Sequence, residues 1–284
     1  MRTFTIALAV SLAIAGVPAW AQEIKTHHVK GNIYMLEGRG GNIGVSIGED
    51  GILVIDDQYA NIADENRAAI RKLQDGDLTF IINTHHHGDH TGGNKAFGSE
   101  APIIGQTRLR ERLAKGKDLG DPAVRQAIPT ITFDETLSLH FNGEEIRLVH
   151  FPTGHTDNDS VVYFTESNVV HMGDHFFVGR FPFIDLAGGG DVENYIQNVK
   201  KVIAGLDNDV KIIPGHGPLA TLKDLKDFLK LVEDSVDIVR KGIADGKDLD
   251  KIKKDGLPKR FGDAGSGFVN ADRWMSIVHQ SLTR

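Results

Sequence analysis

The chain has 284 residues, a formal net charge of −7 and 40% hydrophobic residues, the composition of a folded globular protein that can bury a sizeable core. An acidic chain without a basic tract is a poor candidate for binding nucleic acid or an anionic membrane. The absence of cysteine excludes disulfides, thiolate metal ligands, cysteine nucleophiles and iron–sulfur clusters.

The N-terminus has the pattern of an export signal. A short basic start precedes an apolar segment, 4–17, which is too short to span a bilayer. Residues 18–21 end in an Ala-x-Ala cleavage pattern. We therefore expect residues 1–21 to be a signal peptide cleaved after Ala21. Residues 22–284 are then a single mature domain, periplasmic or secreted, without a membrane anchor.

The first half of the mature chain reads as strands, a helix and a further strand. Strand patterns lie at 32–36, 43–47, 51–55 and 78–83. Apolar residues recur with helical spacing between 60 and 73. A charged helix is expected at 108–117, followed by an irregular connection at 118–129.

The second half repeats this order. A strand set begins at Thr130, with a hairpin around Asn142-Gly143 and strands at 136–141, 144–150, 160–164, 169–172 and 210–214. Helices are predicted at 192–205 and 222–241, and Asn270 is expected to cap a last helix. Segment 246–266 is predicted to be the least regular part. Two similar halves of strands and helices favour an α/β fold, a four-layer αβ/βαβ sandwich with its ligand loops at one edge of two facing sheets.

The most informative segment is the His-x-His-x-Asp-His pattern that follows the strand at 78–83. Alternate side chains of an extended chain share a side, so His85 and His87 face together while His86 points away. As the chain turns, Asp89 and His90 can reach a second position. Three more candidates each follow a strand-like run: His155, Asp174 and His216. Imidazole and carboxylate are the ligands that Zn²⁺ accepts when thiolate is unavailable.

These residues resemble the metallo-β-lactamase superfamily of hydrolases, whose five metal-binding motifs occur here in the same order. The motifs are Asp56, the segment His85 to His90, His155, Asp174 and His216. The resemblance implies that His85, His87 and His155 hold one zinc ion. It implies that Asp89, His90 and His216 hold a second, with Asp174 bridging the two. Asp56 is expected either to orient a ligand histidine or to be a simple turn residue.

Two branches of that superfamily are represented. Segment 84–94 is similar to the glyoxalase II branch, and segment 173–195 to the β-lactamase subclass with a cysteine ligand. Asp174 stands at the position of that cysteine and Phe177 at that of a lysine, which implies weak β-lactam hydrolysis. Arg180, the only cation of its segment, is a candidate for binding a substrate carboxylate. The aromatic residues around it form either core or an apolar substrate wall: Phe176, Phe177, Phe181 and Phe183.

The sequence thus predicts an exported binuclear zinc hydrolase, with Mn²⁺ or Fe²⁺ as alternative metals because Asp174 is a harder ligand than thiolate. A metal-bound hydroxide is expected to attack the carbonyl group of a lactone or ester, or of a β-lactam with low efficiency. The catalytic residue Asp89 is expected to hold this hydroxide in line with the carbonyl group. Other hypotheses are a thioester or phosphodiester hydrolase, a sulfur dioxygenase with a mononuclear iron site, and a non-catalytic zinc-binding module. The expected partner is a small-molecule substrate, bound by a monomer or small homo-oligomer.

Overall fold

Residues 24–284 of the computed structural model are described, and the predicted signal peptide at 1–21 lies outside them. In this part of the chain, thirteen strands form two sheets. The first sheet contains β1 Lys25–Lys30, β2 Ile33–Glu37, β3 Ile43–Gly48, β4 Gly51–Ile55, β5 Leu78–Ile82, β6 Ile103–Gln106 and β7 Ile131–Phe133, in that order. Strands β1 to β4 are antiparallel neighbours, whereas β4 to β7 run parallel.

The second sheet has the order β13-β12-β11-β10-β9-β8. Its strands are β8 Thr136–Phe141, β9 Glu144–Phe151, β10 Asp159–Phe164, β11 Val169–His171, β12 Lys211–Ile213 and β13 Ala220–Thr221. Only β11 and β12 are parallel. The β8–β9 hairpin turns at Asn142 and Gly143, both with positive φ, as a two-residue turn of this type requires.

Nine α-helices connect or cover the strands in residues 24–284. They are α1 Ala63–Leu73, α2 Gly88–Thr91, α3 Asn94–Phe97, α4 Thr107–Ala114, α5 Pro122–Arg125, α6 Val192–Ala204, α7 Leu222–Ala244, α8 Leu249–Asp255 and α9 Ala271–Leu282. The longest, α7, begins with a capping box between Thr221 and Asp224, and the Asn270 side chain caps α9 as expected. None of the helices in this range combines the length and apolarity needed to cross a membrane.

Three buried clusters separate four layers, which confirms the predicted sandwich. One cluster joins the first sheet to α1, through residues such as Val54 and Ile70. The central cluster contains inward side chains of both sheets, including Leu53 and Val162. The third packs the second sheet against α6, α7 and α9, with Trp274 fully buried. Consecutive residues of one strand, such as Leu53 and Val54, therefore enter different clusters.

The structure differs from the sequence prediction in several elements. Strands β1 and β6 were not expected, and the irregular connection at 118–129 contains the short helix α5. Segment 246–266, predicted to be the least regular, contains α8 and two 3₁₀ turns. It is ordered by tertiary packing, because Ile252 and Phe261 are buried in the third cluster. Local composition does not show that packing.

Candidate metal centre

The predicted ligands gather at one edge of the sandwich because of strand direction. Strands β4 and β5 are parallel, so Asp56 after β4 and the segment 85–90 after β5 emerge at the same edge. Strands β11 and β12 are likewise parallel, which brings Asp174 and His216 together. His155 enters from the β9–β10 loop. All seven ligand candidates meet in this one place, in two groups.

The first group consists of His85, His87 and His155. His155 Nε2 lies 2.9 Å from His87 Nδ1 and 3.2 Å from His85 Nε2, and the last two atoms are 3.1 Å apart. Ligands about 2.0–2.1 Å from a tetrahedral zinc ion are separated by about 3.3–3.4 Å. The triangle of nitrogen atoms therefore has nearly the size that one zinc ion requires.

Each of these rings has an inner nitrogen atom, which faces the other two rings, and an outer one, which points away from them. Hydrogen bonds to the outer nitrogen atoms fix the tautomers. The Phe183 carbonyl accepts from His155 Nδ1 at 2.5 Å, and the Asp185 carboxylate accepts from His87 Nε2 at 3.0 Å. The inner nitrogen atoms, only 2.9 Å apart, then both carry lone pairs. Two facing lone pairs at this distance repel each other unless a cation lies between them.

Asp56 orients ligands of both groups. Its Oδ2 accepts from His90 Nδ1 at 2.7 Å and from the Thr84 hydroxyl at 2.7 Å. The Thr84 oxygen in turn lies 3.1 Å from His85 Nδ1, so it can accept that proton. Asp56 is fully buried. The inner nitrogen atoms of His90 and His85 are thereby left free to bind a metal, the pattern of carboxylates behind ligand histidines.

The second group consists of Asp89, His90 and His216. His216 Nε2 lies 3.4 Å from Asp89 Oδ2, and the His90 Nε2 atom lies 3.8 Å from the same oxygen. Asp174 stands between the groups: its Oδ1 is 3.1 Å from His90 Nε2, and its Oδ2 is 3.2 Å from His155 Nε2. One carboxylate thus presents an oxygen to each group, as a bridging ligand does.

Two of these atoms are buried without a hydrogen-bond partner. Within residues 24–284, His90 Nε2 and Asp174 Oδ1 belong to the few such side-chain atoms: they lie 3.1 Å apart, but not in hydrogen-bond geometry. An unsatisfied buried polar atom is costly, and a bound ion is one of its ordinary explanations. The orphaned atoms, the converging lone pairs and the nitrogen and oxygen donor set together fit divalent metal ions.

The electrostatics of the two groups differ. Burial lowers the pKa of His155 to about 3, so its imidazole is neutral and ready to bind a metal at neutral pH. Burial alone would lower the pKa of His90 as well, but the carboxylates of Asp174, Asp56 and Asp89 outweigh it and raise that pKa well above its usual value. The same three carboxylates create the negative potential that attracts a metal ion.

A cavity of about 540 Å³ opens on the second group. It is lined by Arg39, Tyr59, His87, Gly88, Asp89, Asp174, Phe177, Arg180, Phe181, Phe183, His216, Phe268 and Val269. Phe177, Phe181 and Phe183 thus face the cavity, whereas Phe176 packs against Phe228 in the core. Phe177 also stacks on the His216 ring, with centroids 5.0 Å apart.

Several cavity residues have no signal in the sequence. Arg39 comes from the glycine-rich turn after β2, Tyr59 follows β4, and Phe268 precedes α9. No sequence pattern indicates Asp185 either, although it contacts His87. Of the histidines next to the ligands, His86 points away from the centre as expected and contacts Asn158, His171 contacts the Asn42 carbonyl and His175 stacks on Tyr195.

The model of the family described as the metallo-beta-lactamase superfamily matches residues 30–216, which hold all seven ligand candidates. The chain belongs to this superfamily. Among curated relatives, the hydroxyacylglutathione hydrolase GloC of Haemophilus influenzae is 30% identical over 182 residues, covering 59% of this chain and 84% of that protein. A hydroxyacylglutathione hydrolase of a Synechococcus strain is 32% identical over 105 residues, and the match spans only 36% of either chain.

Solved structures with a similar architecture support the fold. A metallo-beta-lactamase from Pontibacter korlensis superimposes with a TM-score of 0.64 at 15% identity, covering 74% of this chain and 99% of that one. A double mutant of the sec-alkyl sulfatase PisA1 gives a TM-score of 0.71 at 13% identity, covering 92% of this chain and 50% of that one. At these identities the likeness establishes the fold alone.

Proposed function

We propose that this superfamily member is an exported binuclear zinc hydrolase that cleaves a small carbonyl compound. One observation carries the proposal: two sets of converging donor atoms, linked by Asp174, open on one cavity. The three histidines of the first group have a hydroxyl, a carboxylate and a carbonyl group on their outer nitrogen atoms and form a zinc-type donor set. With zinc bound, the ions act as Lewis acids that activate water and polarise the carbonyl group.

Asp89 is the proposed catalytic residue. Its side chain is 24% exposed and lines the cavity beside His216. Burial alone would raise the pKa of Asp89, but the charge of His90 and the hydrogen bond from His216 lower it to about 2. Asp89 is therefore a carboxylate at neutral pH. It can accept a hydrogen bond from the attacking water and hold that water in line with the carbonyl carbon.

The cavity supports an amphipathic, anionic substrate. Phe177, Phe181 and Phe183 provide apolar surface, while Arg39 and Arg180 provide positive charge. Neither arginine forms an ion pair with another residue of 24–284. Arg180 is exposed, so it can reach a substrate carboxylate. Phe177, which stands at the position of a lysine, cannot bind this group. A lactone, an ester or a slowly cleaved β-lactam fits this description.

Thioester hydrolysis is the second candidate. It is favoured by the similarity to GloC, a hydroxyacylglutathione hydrolase, over 84% of that relative's length. Export argues against a cytoplasmic glutathione thioester as the natural substrate. Mass spectrometry of the periplasmic fraction is expected to find a chain that begins at Gln22, and an intact Met1 terminus in the cytoplasm would restore the glutathione thioester.

The direct test is a panel of chromogenic β-lactam, lactone, ester, thioester and phosphodiester substrates, measured with zinc-loaded protein. Asp89→Ala serves as the matched inactive variant, and metal content is measured in both. The expected result is zinc-dependent cleavage of a carbonyl substrate that Asp89→Ala lacks. Tight zinc binding without cleavage of any member would favour the non-catalytic module, and cleavage of phosphodiesters alone would overturn the carbonyl assignment.

A further inference from the structure

The outer nitrogen of His87 is held by a residue that is distant in sequence. Asp185 Oδ2 lies 3.0 Å from His87 Nε2, across 98 positions of the chain. The other ring nitrogen, Nδ1, points at His85 and His155. Because a neutral imidazole has one proton, a carboxylate at Nε2 keeps that proton there and leaves Nδ1 free.

Asp185 is itself held on three sides. Its second carboxylate oxygen, Oδ1, accepts from the Gly188 amide at 2.8 Å. Its own amide donates to the His155 carbonyl at 2.9 Å, and its carbonyl accepts from the Gly190 amide at 2.8 Å. The carboxylate therefore has little freedom to rotate, and its main chain is tied to the loop that carries a second ligand of the first group.

The glycine-rich turn at 188–190 has the shape that this arrangement needs. A Cβ atom at Gly188 would lie 2.3 Å from Asp185 Oδ2, the oxygen that contacts His87. A Cβ atom at Gly190 would lie 2.4 Å from the His155 carbonyl. Any side chain at either position would displace the carboxylate or the histidine loop, so the turn leaves space for Asp185.

We propose that Asp185, enclosed by the turn at 188–190, is the positioning residue that fixes the His87 tautomer and thereby sets the metal affinity of the first group. The inference rests on the proposed function only in assigning a metal to His85, His87 and His155. It adds a role for the glycine-rich segment, which carries no metal ligand. Carboxylates behind ligand histidines change metal affinity by about 10–100-fold.

The tautomer is measured in the metal-free protein by long-range ¹⁵N–¹H correlation spectra of the histidine rings. We expect the wild-type His87 ring to carry its proton on Nε2. In Asp185→Asn the single amide oxygen cannot accept from both His87 and Gly188, so the amide nitrogen faces one of these donors. Where it faces His87, the proton moves to Nδ1, the atom that would bind the metal. A wild-type His87 protonated on Nδ1 would overturn the proposal.

Zinc affinity is then measured by competition with a chromophoric chelator. Asp185→Asn is expected to weaken the first site by about 10–100-fold. Gly188→Ala, which keeps the carboxylate but crowds it, is expected to change affinity in the same direction. The matched control is Asp157→Asn, which removes the same charge from a nearby carboxylate paired with Arg112. It is expected to stay within about threefold of the wild type.

The outcomes separate this inference from the proposed function. If Asp185→Asn shifts the tautomer and zinc affinity but no substrate is cleaved, the positioning role stands and the hydrolase proposal fails. If the wild type cleaves a carbonyl substrate and Asp185→Asn binds zinc as tightly as Asp157→Asn, the positioning role fails alone. Should Asp185→Asn not fold, as judged by circular dichroism, the wild-type tautomer and Gly188→Ala still decide the question.

Discussion

The two groups of ligands differ in how firmly the protein holds them. In the first group, His85 and His155 are fully buried and His87 is 19% exposed, and each of the three rings has a partner on its outer nitrogen. In the second, His90 is equally buried, but Asp89 and His216 are 24% and 22% exposed. Within the described residues, the outer nitrogen of His216 has no hydrogen-bond partner, and the ring is held by stacking on Phe177.

This difference indicates a division of labour. The outer contacts of the first group fix the tautomers and ring orientations of its three histidines. Asp89 and His216 of the second group line the cavity proposed to receive the substrate, and so does His87 of the first group. A site on the cavity side with weaker support is expected to bind its metal less tightly and to respond more to substrate.

Removing the exposed carboxylate is expected to have the largest effect. Asp89→Ala deletes a ligand candidate of the second group, which is also the carboxylate proposed to orient the attacking water. We expect kcat to fall by about 10²–10⁴-fold while the fold and the first site persist. Steady-state kinetics, metal analysis and circular dichroism check this. A variant with two zinc equivalents and normal turnover would contradict both assigned roles of Asp89.

Metal removal should proceed in two steps. Elemental analysis of protein purified without chelator is expected to approach two equivalents, and mild chelation should remove the second-group ion first. A ligand at 100 times its dissociation constant stabilises the folded state by about 2.7 kcal/mol, so the melting temperature should fall with each loss. Full activity with one firmly bound iron ion would instead support the sulfur dioxygenase hypothesis.

Acidification is expected to weaken zinc binding at the second group more than at the first. Burial opposes the charge on His216, but Asp174 and Asp89 outweigh it and raise its pKa to about 9, whereas burial lowers that of His155 to about 3. A proton must therefore leave His216 when a metal binds at neutral pH, but none must leave His155. Zinc titrations between pH 8 and 5 are expected to show the second site weakening more. If the zinc affinities of the two sites changed equally with pH, this difference between the groups would be contradicted.

Asp56→Asn provides a sharper comparison, because Asp56 supports both groups through His90 and through Thr84 with His85. We expect both zinc affinities to fall, by about 10–100-fold each. Asp185→Asn should weaken the first site alone. Competition titrations on the two variants measure this. If Asp56→Asn spares the first site, the relay through Thr84 does not orient His85.

The contrast also shows what the sequence can predict. The ligands follow apolar strands with their own local pattern, so the spacing from His85 to His90 indicates a metal site without knowledge of the fold. Asp56 could be suspected because it ends a strand. Asp185 could not, because its partner His87 is 98 positions away and the contact exists only after both sheets have assembled. The glycine-rich turn was the one local sign of that close approach.

The elements of the fold likewise differ in how well the sequence predicts them. Strands with apolar alternation were predictable, whereas β1 has a single buried residue, Val29, and β6 is only four residues long. Helix α8 has one buried residue, Ile252, and is stable because α7 and α9 pack against it. Such elements owe their structure to tertiary contacts, which outweigh weak local preference.

The smallest expected effect concerns the cations beside the second group. Arg39, Arg180 and His216 line a common hollow that adjoins the main cavity. Arg180→Ala is expected to raise KM for a substrate with a carboxylate about tenfold, with kcat nearly unchanged, because a charge-assisted hydrogen bond contributes about 1.5–3 kcal/mol in ground and transition states alike. The neutral methyl ester of that substrate provides the control, since its KM should hardly change. A comparable loss on the ester would mean that Arg180 supports the cavity wall rather than the anion. A fall in kcat with normal KM would place Arg180 at the reacting group and weaken the assignment of the anion to this side of the second metal.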